Sequence, residues 1–347
     1  MPGIIFYIGY NTVGGYICSG IFMHTIIGND IEKARQHLIN GDVVAIPTET
    51  VYGLAGNALN EDAVLKIFEA KNRPSFNPLI VHIANWRQAQ EYVEYVPAKA
   101  KLLAAAFTPG PLTFLLQKKN TIPDLVTAGS DKVAIRIPKH PLTLELLDAI
   151  DFPLAAPSAN PFGYISPVTA QHVLEGLDGK IPYILDGGAA TVGLESTIIG
   201  FDENENVLLY RTGGISAEQV EELLKEKVTL AKLASEEHPE TAGQLRSHYA
   251  PHTPLYVGDI DELKKQFEGK RIATISFMKQ FEDIDEAKQF ILSDNGSLDE
   301  AAKNLFTVLR LTDKLKVDVI LAEQFPDEGI GRAINDRLGK AQAENKI

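Results

Sequence analysis

The chain has 347 residues, 45% of them hydrophobic and 23% charged, with a formal net charge of −13; that length suits two soluble domains better than one. Residues 24–213 carry 15 Lys+Arg against 21 Asp+Glu and residues 214–347 carry 18 against 25, so neither half can grip nucleic acid by counterion release and any anion site must be a local pocket. The single cysteine, Cys18, excludes intrachain disulfides, zinc ribbons and iron–sulfur clusters and fits a reducing, cytoplasmic compartment.

Residues 1–22 are apolar and aromatic, lack Lys and Arg, and contain five glycines. They fit neither a signal peptide nor a spanning helix, so no membrane partner is expected. The segment reads as an N-terminal extension of doubtful relevance, and the fold is expected to begin after Met23.

Residues 30–40 read as an amphipathic helix, with Ile31, Ala34 and Leu38 on one face and Gly41 as its stop. A strand at 42–46 runs into Pro47-Thr48-Glu49-Thr50. Asn60 caps a helix whose Val64, Ile67 and Phe68 face inward, and Lys71-Asn72-Arg73-Pro74 follows it. Next come a strand at 79–83 and a helix at 98–107, stopped by Thr108-Pro109-Gly110-Pro111. Strands at 112–117 and 133–137, a helix at 141–150 and a strand at 153–156 lead to Pro157-Ser158-Ala159-Asn160. Strands at 196–201 and 206–211 form a hairpin. Helices and strands intermingle without a regular βαβ repeat, which predicts an α/β (α+β-like) fold with a mixed, twisted sheet and helices around it.

A helix at 216–226 precedes a polar, weakly periodic run to about Pro254 that reads as a linker. Beyond it the pattern is strand 255–257, helix 259–268, strand 271–276, helix 285–291, helix 298–315, strand 317–322 and helix 330–342. Ser297 and Glu300 stand at capping-box spacing for the long helix. The alternation predicts a small, parallel, three-layer domain. The expected divisions are 1–22, 24–214, a linker or lid at 215–253, and 254–347.

A P-loop, a dinucleotide fingerprint, His-Glu-x-x-His and a nucleophile elbow are all absent from the sequence. His248 and His252 are four apart, but Pro251 breaks any helix between them, and no metal site is predicted. The informative groups lie at strand ends. Lys71 and Arg73 alone need do no more than complement a helix C-terminus. Arg136 sits in the apolar run Val133–Pro138, where a guanidinium needs an anion or a polar cleft unless alternation turns it to solvent. Arg211 precedes Thr212-Gly213-Gly214, glycines that let backbone approach a ligand. Ser158, Asn160, Ser166, Ser196 and Thr197 are singly turn or cap residues. Together with three or four cations they form the donor set that a nucleoside triphosphate requires. His82 is expected exposed at the same end of its strand, with a structural role as the competing reading.

The segments PTETVYGL (47–54), KNRPSFNPLIVHI (71–83), VAIRIP (133–138), APSAN (156–160), Ser166, ESTII (195–199), YRTGG (210–214) and HYAP (248–251) resemble the threonylcarbamoyl-AMP synthases, the YrdC-like family, in their long two-domain form. The likeness covers about residues 24–345 and rests on the combination and order of these segments. One departure is Thr241-Ala242-Gly243-Gln244-Leu245-Arg246-Ser247 where the family has a Ser-Pro-Gly-Met-like lead into HYAP.

The resemblance implies an open twisted sheet with a basic concave cavity, a linker and a small Rossmann-like domain. It implies that ATP, L-threonine and bicarbonate give L-threonylcarbamoyl-AMP and pyrophosphate, with Mg²⁺ accompanying ATP. The product would pass to a separate transferase complex that modifies tRNA, without stable nucleic-acid binding by this chain. Position by position it implies Lys71 and Arg73 as catalytic groups and Thr50, His82, Arg136, Ala156 and Ser196 around threonine. It implies Arg73, Asn77, Lys132, Ser158, Asn160, Ser166, Arg211 and Tyr249 around ATP, with Tyr249 folded over the nucleotide. The alternative, a double-stranded RNA or tRNA-binding module without catalysis, is disfavoured by acidity in both halves and by the want of an aromatic stacking platform.

Overall fold

The structure, a computed structural model, describes residues 24–231, 239–243 and 249–342. Short runs rich in Val, Ile and Leu form its large sheet. The strands are β1 (Ile26–Gly28), β2 (Val44–Ile46), β3 (Gly53–Asn57), β4 (Ile80–His82), β5 (Leu112–Gln117), β6 (Lys132–Arg136), β7 (Leu154–Ala155), β8 (Tyr183–Leu185), β9 (Thr197–Phe201), β10 (Val207–Arg211) and β11 (Thr229–Leu230). Their spatial order is β1-β8-β2-β3-β7-β4-β6-β5-β9-β10-β11. The sheet is mixed as predicted: β4 and β6 are parallel, whereas β5–β6 and β9–β10 are antiparallel. This order brings His82 opposite Arg136, and Arg136 opposite Thr113.

Alternation then separates the two faces. Val81, Phe114, Val133, Ile135 and Ile199 enter the main core with helices packed over them. Ile80, Leu115, Ala134 and Ile198, joined by Tyr210, form a smaller apolar floor on the other face. His82, Thr113 and Arg136 lie two residues further along their strands or before them, on that same face. The helices are α1 (Ile31–Ile39), α2 (Glu61–Lys71), α3 (Trp86–Tyr92), α4 (Ala98–Phe107), α5 (Asp124–Thr127), α6 (Pro141–Asp148), α7 (Ala170–Leu177) and α8 (Ala217–Leu224). Asp30 and Asn60 cap α1 and α2 through their side chains, as the sequence predicts for Asn60.

The smaller sheet is wholly parallel, β12 (Leu255–Val257), β13 (Ile272–Ser276), β14 (Gln289–Ile291) and β15 (Val319–Ala322), in the order β12-β15-β13-β14. Its helices are α9 (Ile260–Gln266), α10 (Leu298–Asp313) and α11 (Gly331–Ala341). The helix predicted at 285–291 is instead a single 3₁₀ turn, Glu286–Lys288, followed by strand β14. Gln289 explains the difference: its amide bonds to the backbone of Phe281 and Ile284, pinning the segment extended beside β13. Half of the expected capping box forms. Ser297 Oγ accepts from Glu300 N at 3.2 Å, but the Glu300 carboxylate accepts from Ser293 Oγ at 2.6 Å. The elements α8 and β11, which lie inside the expected 215–253 division, pack with the large sheet.

The two sheets share a core. Val51, Ile165, Val168, Ala190 and Leu194 of the larger domain belong to one buried cluster with Leu305, Phe306 and Leu309 of α10. Gly193, at φ +79, sits so close to α10 that a Cβ would meet Lys303 Cα at 2.5 Å. Leu194→Ala, a truncation in the larger domain, is therefore expected to remove about 2–5 kcal/mol and to lower one common unfolding transition. Two calorimetric transitions, only one of them shifted, would contradict the shared core.

Candidate functional site

The loop after β2 folds around Thr48. Its hydroxyl accepts from Thr50 N and Val51 N at 3.1 and 3.2 Å, a local turn that presents Glu49 and Thr50 toward β6. Arg136 Nη2 lies 2.8 Å from Glu49 Oε1 and donates to Thr50 Oγ1 at 2.8 Å. Arg136 is 4% exposed, so alternation does not turn it to solvent. Glu49 Oε2 is held by Lys139 N at 2.9 Å. Beside it, Ser196 Oγ shares a hydrogen bond of 2.7 Å with Thr113 Oγ1 and accepts from Arg211 Nη2 at 3.1 Å. Gly213 makes this approach possible, because a Cβ there would collide with the backbone of Glu195–Thr197.

The second group comes from the end of α2. Asn72 caps the helix in the left-handed region, φ 51, and Arg73 N returns to Phe68 O at 2.9 Å. Lys71 Nζ then donates to Ser158 O and Asn160 O, each at 2.5 Å. Arg73 donates to Asn77 O and Pro78 O at 3.2 and 3.0 Å and lies 5.9 Å from the Phe162 ring. These contacts go beyond complementing a helix end. Asn77 is 1% exposed, yet neither its Oδ1 nor its Nδ2 has a hydrogen-bond partner among the described residues; Asn160 Oδ1 is in the same condition.

The two groups meet electrostatically. Arg73 feels Arg211 and Tyr249, and Arg211 feels Arg136 and Arg337. Lys71, Arg73, Arg136, Arg211 and Arg337 are all buried, against the buried carboxylates Glu49 and Glu195. Burial first, then Arg73, drives the Lys71 amine well below its usual range. Burial and Arg211 pull Arg73 down to about 9, with Tyr249 opposing. Burial would raise the Glu195 carboxyl, but Arg337 and Arg211 outweigh it and hold the group low and ionised. His82 is buried rather than exposed. Its Nδ1 lies 3.2 Å from Ile80 O, and burial together with Arg136 lowers it to about 3, a neutral imidazole.

Most of the remaining expected residues adjoin these buried groups. Ala156 is buried and its N–H joins Ile80 O at 2.9 Å. Ser158 is half-buried and bridges Gly53. Ser166 Oγ donates to Glu195 Oε1 at 2.6 Å. Tyr249 is buried against Phe306, ring centroids 5.6 Å apart, with Arg337 at 5.2 Å from its ring. Lys132 is the outlier. It starts β6, about 13 Å along the strand from Arg136, and meets Glu240 of the linker at 3.8 Å. His248 and residues 1–22 lie outside the described residues. Sequence reasoning gave no role to Glu195, Arg337 or Arg310. The last two stand on the apolar faces of α11 and α10, four residues beyond Ala333 and Phe306, which was the available signal.

Residues 36–213 match the family model described as telomere recombination, and residues 215–343 match that of the threonylcarbamoyl-AMP synthase C-terminal domain. The chain is 43% identical over 325 residues to the threonylcarbamoyl-AMP synthase of Pyrococcus abyssi, covering 90% of this chain and 93% of that protein. The enzyme of the same name from Bacillus subtilis is 42% identical over 320 residues, covering 90% and 92%. A crystal structure of P. abyssi Sua5 complexed with L-threonine superposes with a TM-score of 0.84 at 40% identity, covering 91% of this chain and 97% of that one.

The neutral, buried His82 sets a pH dependence. It titrates near 6.5 when unfolded and about 3 when folded, so in between the unfolded chain binds the extra proton. Stability should therefore fall as pH drops from about 6.5 toward 3, by up to ~1.4 kcal/mol per pH unit for this one proton. His172, lowered to about 4 by burial and Arg310, adds in the same sense. His82→Gln should flatten the curve between pH 6.5 and 5 by one proton's share in denaturant titrations. A curve parallel to that of the parent chain would show that His82 is not held neutral.

Proposed function

The chain belongs to the threonylcarbamoyl-AMP synthase family, and we propose that its reaction joins L-threonine, bicarbonate and ATP into L-threonylcarbamoyl-AMP with release of pyrophosphate. The observation that carries this reading is the juxtaposition of two unlike buried halves, joined through Arg211. One half, Thr50, Arg136 and Ser196, offers a guanidinium and two hydroxyls that suit an amino-acid carboxylate. The other, Lys71, Arg73 and Arg211, is a buried cation cluster that suits a triphosphate.

The chemistry needs positioning more than a side-chain nucleophile. The threonine amine, once deprotonated, forms an N–C bond to CO₂ released from bicarbonate; the N–H proton it gives up and the hydroxide that bicarbonate sheds leave as water. A carbamate oxygen then attacks the α-phosphorus, an O–P bond forms, the bond to the β-phosphate bridge breaks, and pyrophosphate leaves with the electron pair. Neutral His82 lines the threonine seat without adding charge there. Lys71, Arg73 and Arg211 neutralise the leaving pyrophosphate, and Asn77 offers its amide to the phosphates. Ser158, Asn160 and Ser166 line the adenylate, with Lys132 at the rim. Holding the reactants in line supplies roughly 7–11 kcal/mol. Tyr249 excludes water, which both the carbamate and the mixed anhydride require.

Glu49 and Glu195 are each committed to a guanidinium, a donor set that does not fit a resident Mg²⁺. The ion enters as part of the substrate, held by phosphate oxygens and water. The product is an activated carbamoyl donor for a separate transferase acting on tRNA, and the chain's own acidity disfavours stable nucleic-acid binding. Among the described residues no helix is long and apolar enough to cross a membrane.

Purified chain incubated with ATP, threonine and bicarbonate should release pyrophosphate only when threonine is present; ATP binding without such turnover would favour a non-catalytic module. Arg73→Ala should depress this release by about 100-fold or more while melting remains cooperative. Full activity in the folded variant would remove Arg73 from the phosphate role.

A further inference from the structure

The C-terminal domain reaches the buried cation cluster through an arginine. Arg337 on α11 is 0% exposed. Its Nε donates to Glu195 Oε2 at 2.8 Å, its Nη2 to Thr212 O at 2.9 Å and its Nη1 to Asp336 Oδ2 at 2.5 Å. The other oxygen of Glu195 holds Ser166 Oγ, while the Glu195 carbonyl accepts from Gly214 N at 3.1 Å. One guanidinium thus fixes a carboxylate that orients Ser166, the loop that follows Arg211, and the ring of Tyr249 above it. A guanidinium with a planar fork can do all three at once; an ammonium cannot. A purely structural interface contact exists close by for comparison. Arg332, on the same helix, meets Glu218 at 2.6 Å, and both side chains are partly exposed.

We propose that Arg337 is a positioning residue for the nucleotide half of the site, acting through Glu195 and Ser166, so that the C-terminal domain completes the reaction centre instead of merely covering it. This rests on the adenylate-forming reading above. It separates from a simple field effect by sign. Removing a positive charge near phosphates weakens ATP binding, and removing a negative one strengthens it. A positioning pair weakens binding whichever member is lost, because the survivor loses its fixed partner.

The test measures ATP affinity by calorimetry, kcat and KM, and melting temperature for full-length Arg337→Met, Arg337→Lys, Glu195→Gln and Arg332→Met. Arg337→Met and Glu195→Gln should both weaken ATP binding about tenfold or more and lower kcat, while KM for threonine moves less than about twofold. Arg337→Lys should recover part of the loss. Arg332→Met should leave ATP affinity unchanged. The proposal is overturned if folded Arg337→Met binds ATP normally, if Glu195→Gln binds it more tightly, or if Arg332→Met weakens it equally. Should Arg337→Met fail to fold, the sign of the Glu195→Gln effect decides. A parent chain that binds ATP but releases no threonine-dependent pyrophosphate sinks the reading of the reaction only; one that binds no ATP removes both.

Discussion

Burying several like charges beside one another is the constraint around which this molecule is built. Five buried cations stand close enough to repel one another, with two buried carboxylates among them. Left to solvation alone, such a cluster would shed protons or open to water. The fold instead satisfies their N–H groups largely with backbone carbonyls. Lys71 takes those of Ser158 and Asn160, Arg73 those of Asn77 and Pro78, Arg211 those of Ser196 and Ala242. Each such charged hydrogen bond contributes roughly 1.5–3 kcal/mol. A carbonyl supplies that bond without cancelling the charge. The positive potential of the guanidiniums therefore survives folding, and the loops that offer the carbonyls are fixed by the very side chains they hold.

The same economy of contacts explains why the second domain is not an independent appendage. Arg310 of α10 donates to Ile165 O at 2.5 Å and lies 4.9 Å from the Tyr164 ring, while Arg337 of α11 holds Thr212 O. Both arginines are buried under an apolar core shared across the domains. Tyr249 meets Arg337 with φ 64, a backbone geometry that costs an aromatic residue roughly 1–2 kcal/mol. Stacking on Phe306 and the Arg337 guanidinium offsets that strain. Tyr249 is thus held from the C-terminal side, with Ala242 and Gly243 of the linker against Arg211 beside it.

Much of this was legible in the sequence, and unevenly so. Elements with local signals came through: the cap at Asn60, the breaker after Phe107, the hairpin around Asp202 to Asn206. Elements made by tertiary pairing did not. Strand β3 is Gly-Leu-Ala-Gly-Asn, a poor strand former, and it exists because β2 and β7 flank it and Gly56 lets α2 pack close. The short strands β1, β8 and β11 likewise depend on their pairing partners, whereas helices α3 and α7 did carry a local signal, the caps Asn85 and Thr169. In the site, the polar loops were visible because strand ends rich in Thr, Ser, Lys and Arg are unusual next to a core. Their wiring was not. Nothing local to Ser166 announces Glu195, and nothing local to Glu195 announces Arg337, 142 positions away.

That wiring also shows why a site with no triad can be demanding. A hydroxyl such as Ser166 Oγ has one donor and can point several ways. Bound to a carboxylate that is itself ionised by two guanidiniums, it has one direction. The two hydroxyls Thr113 and Ser196 are locked to each other and to Arg211 in the same manner. Orientation here is inherited through charged second partners, each anchored on a different element of the fold. A reaction that proceeds by alignment rather than by a protein nucleophile has no other place to store its rate advantage, because only groups already fixed before the substrates meet spare the transition state their ordering. The apolar floor of Ile80, Leu115, Ala134 and Ile198 beneath them serves the same end: it keeps the dielectric low where those oriented dipoles act.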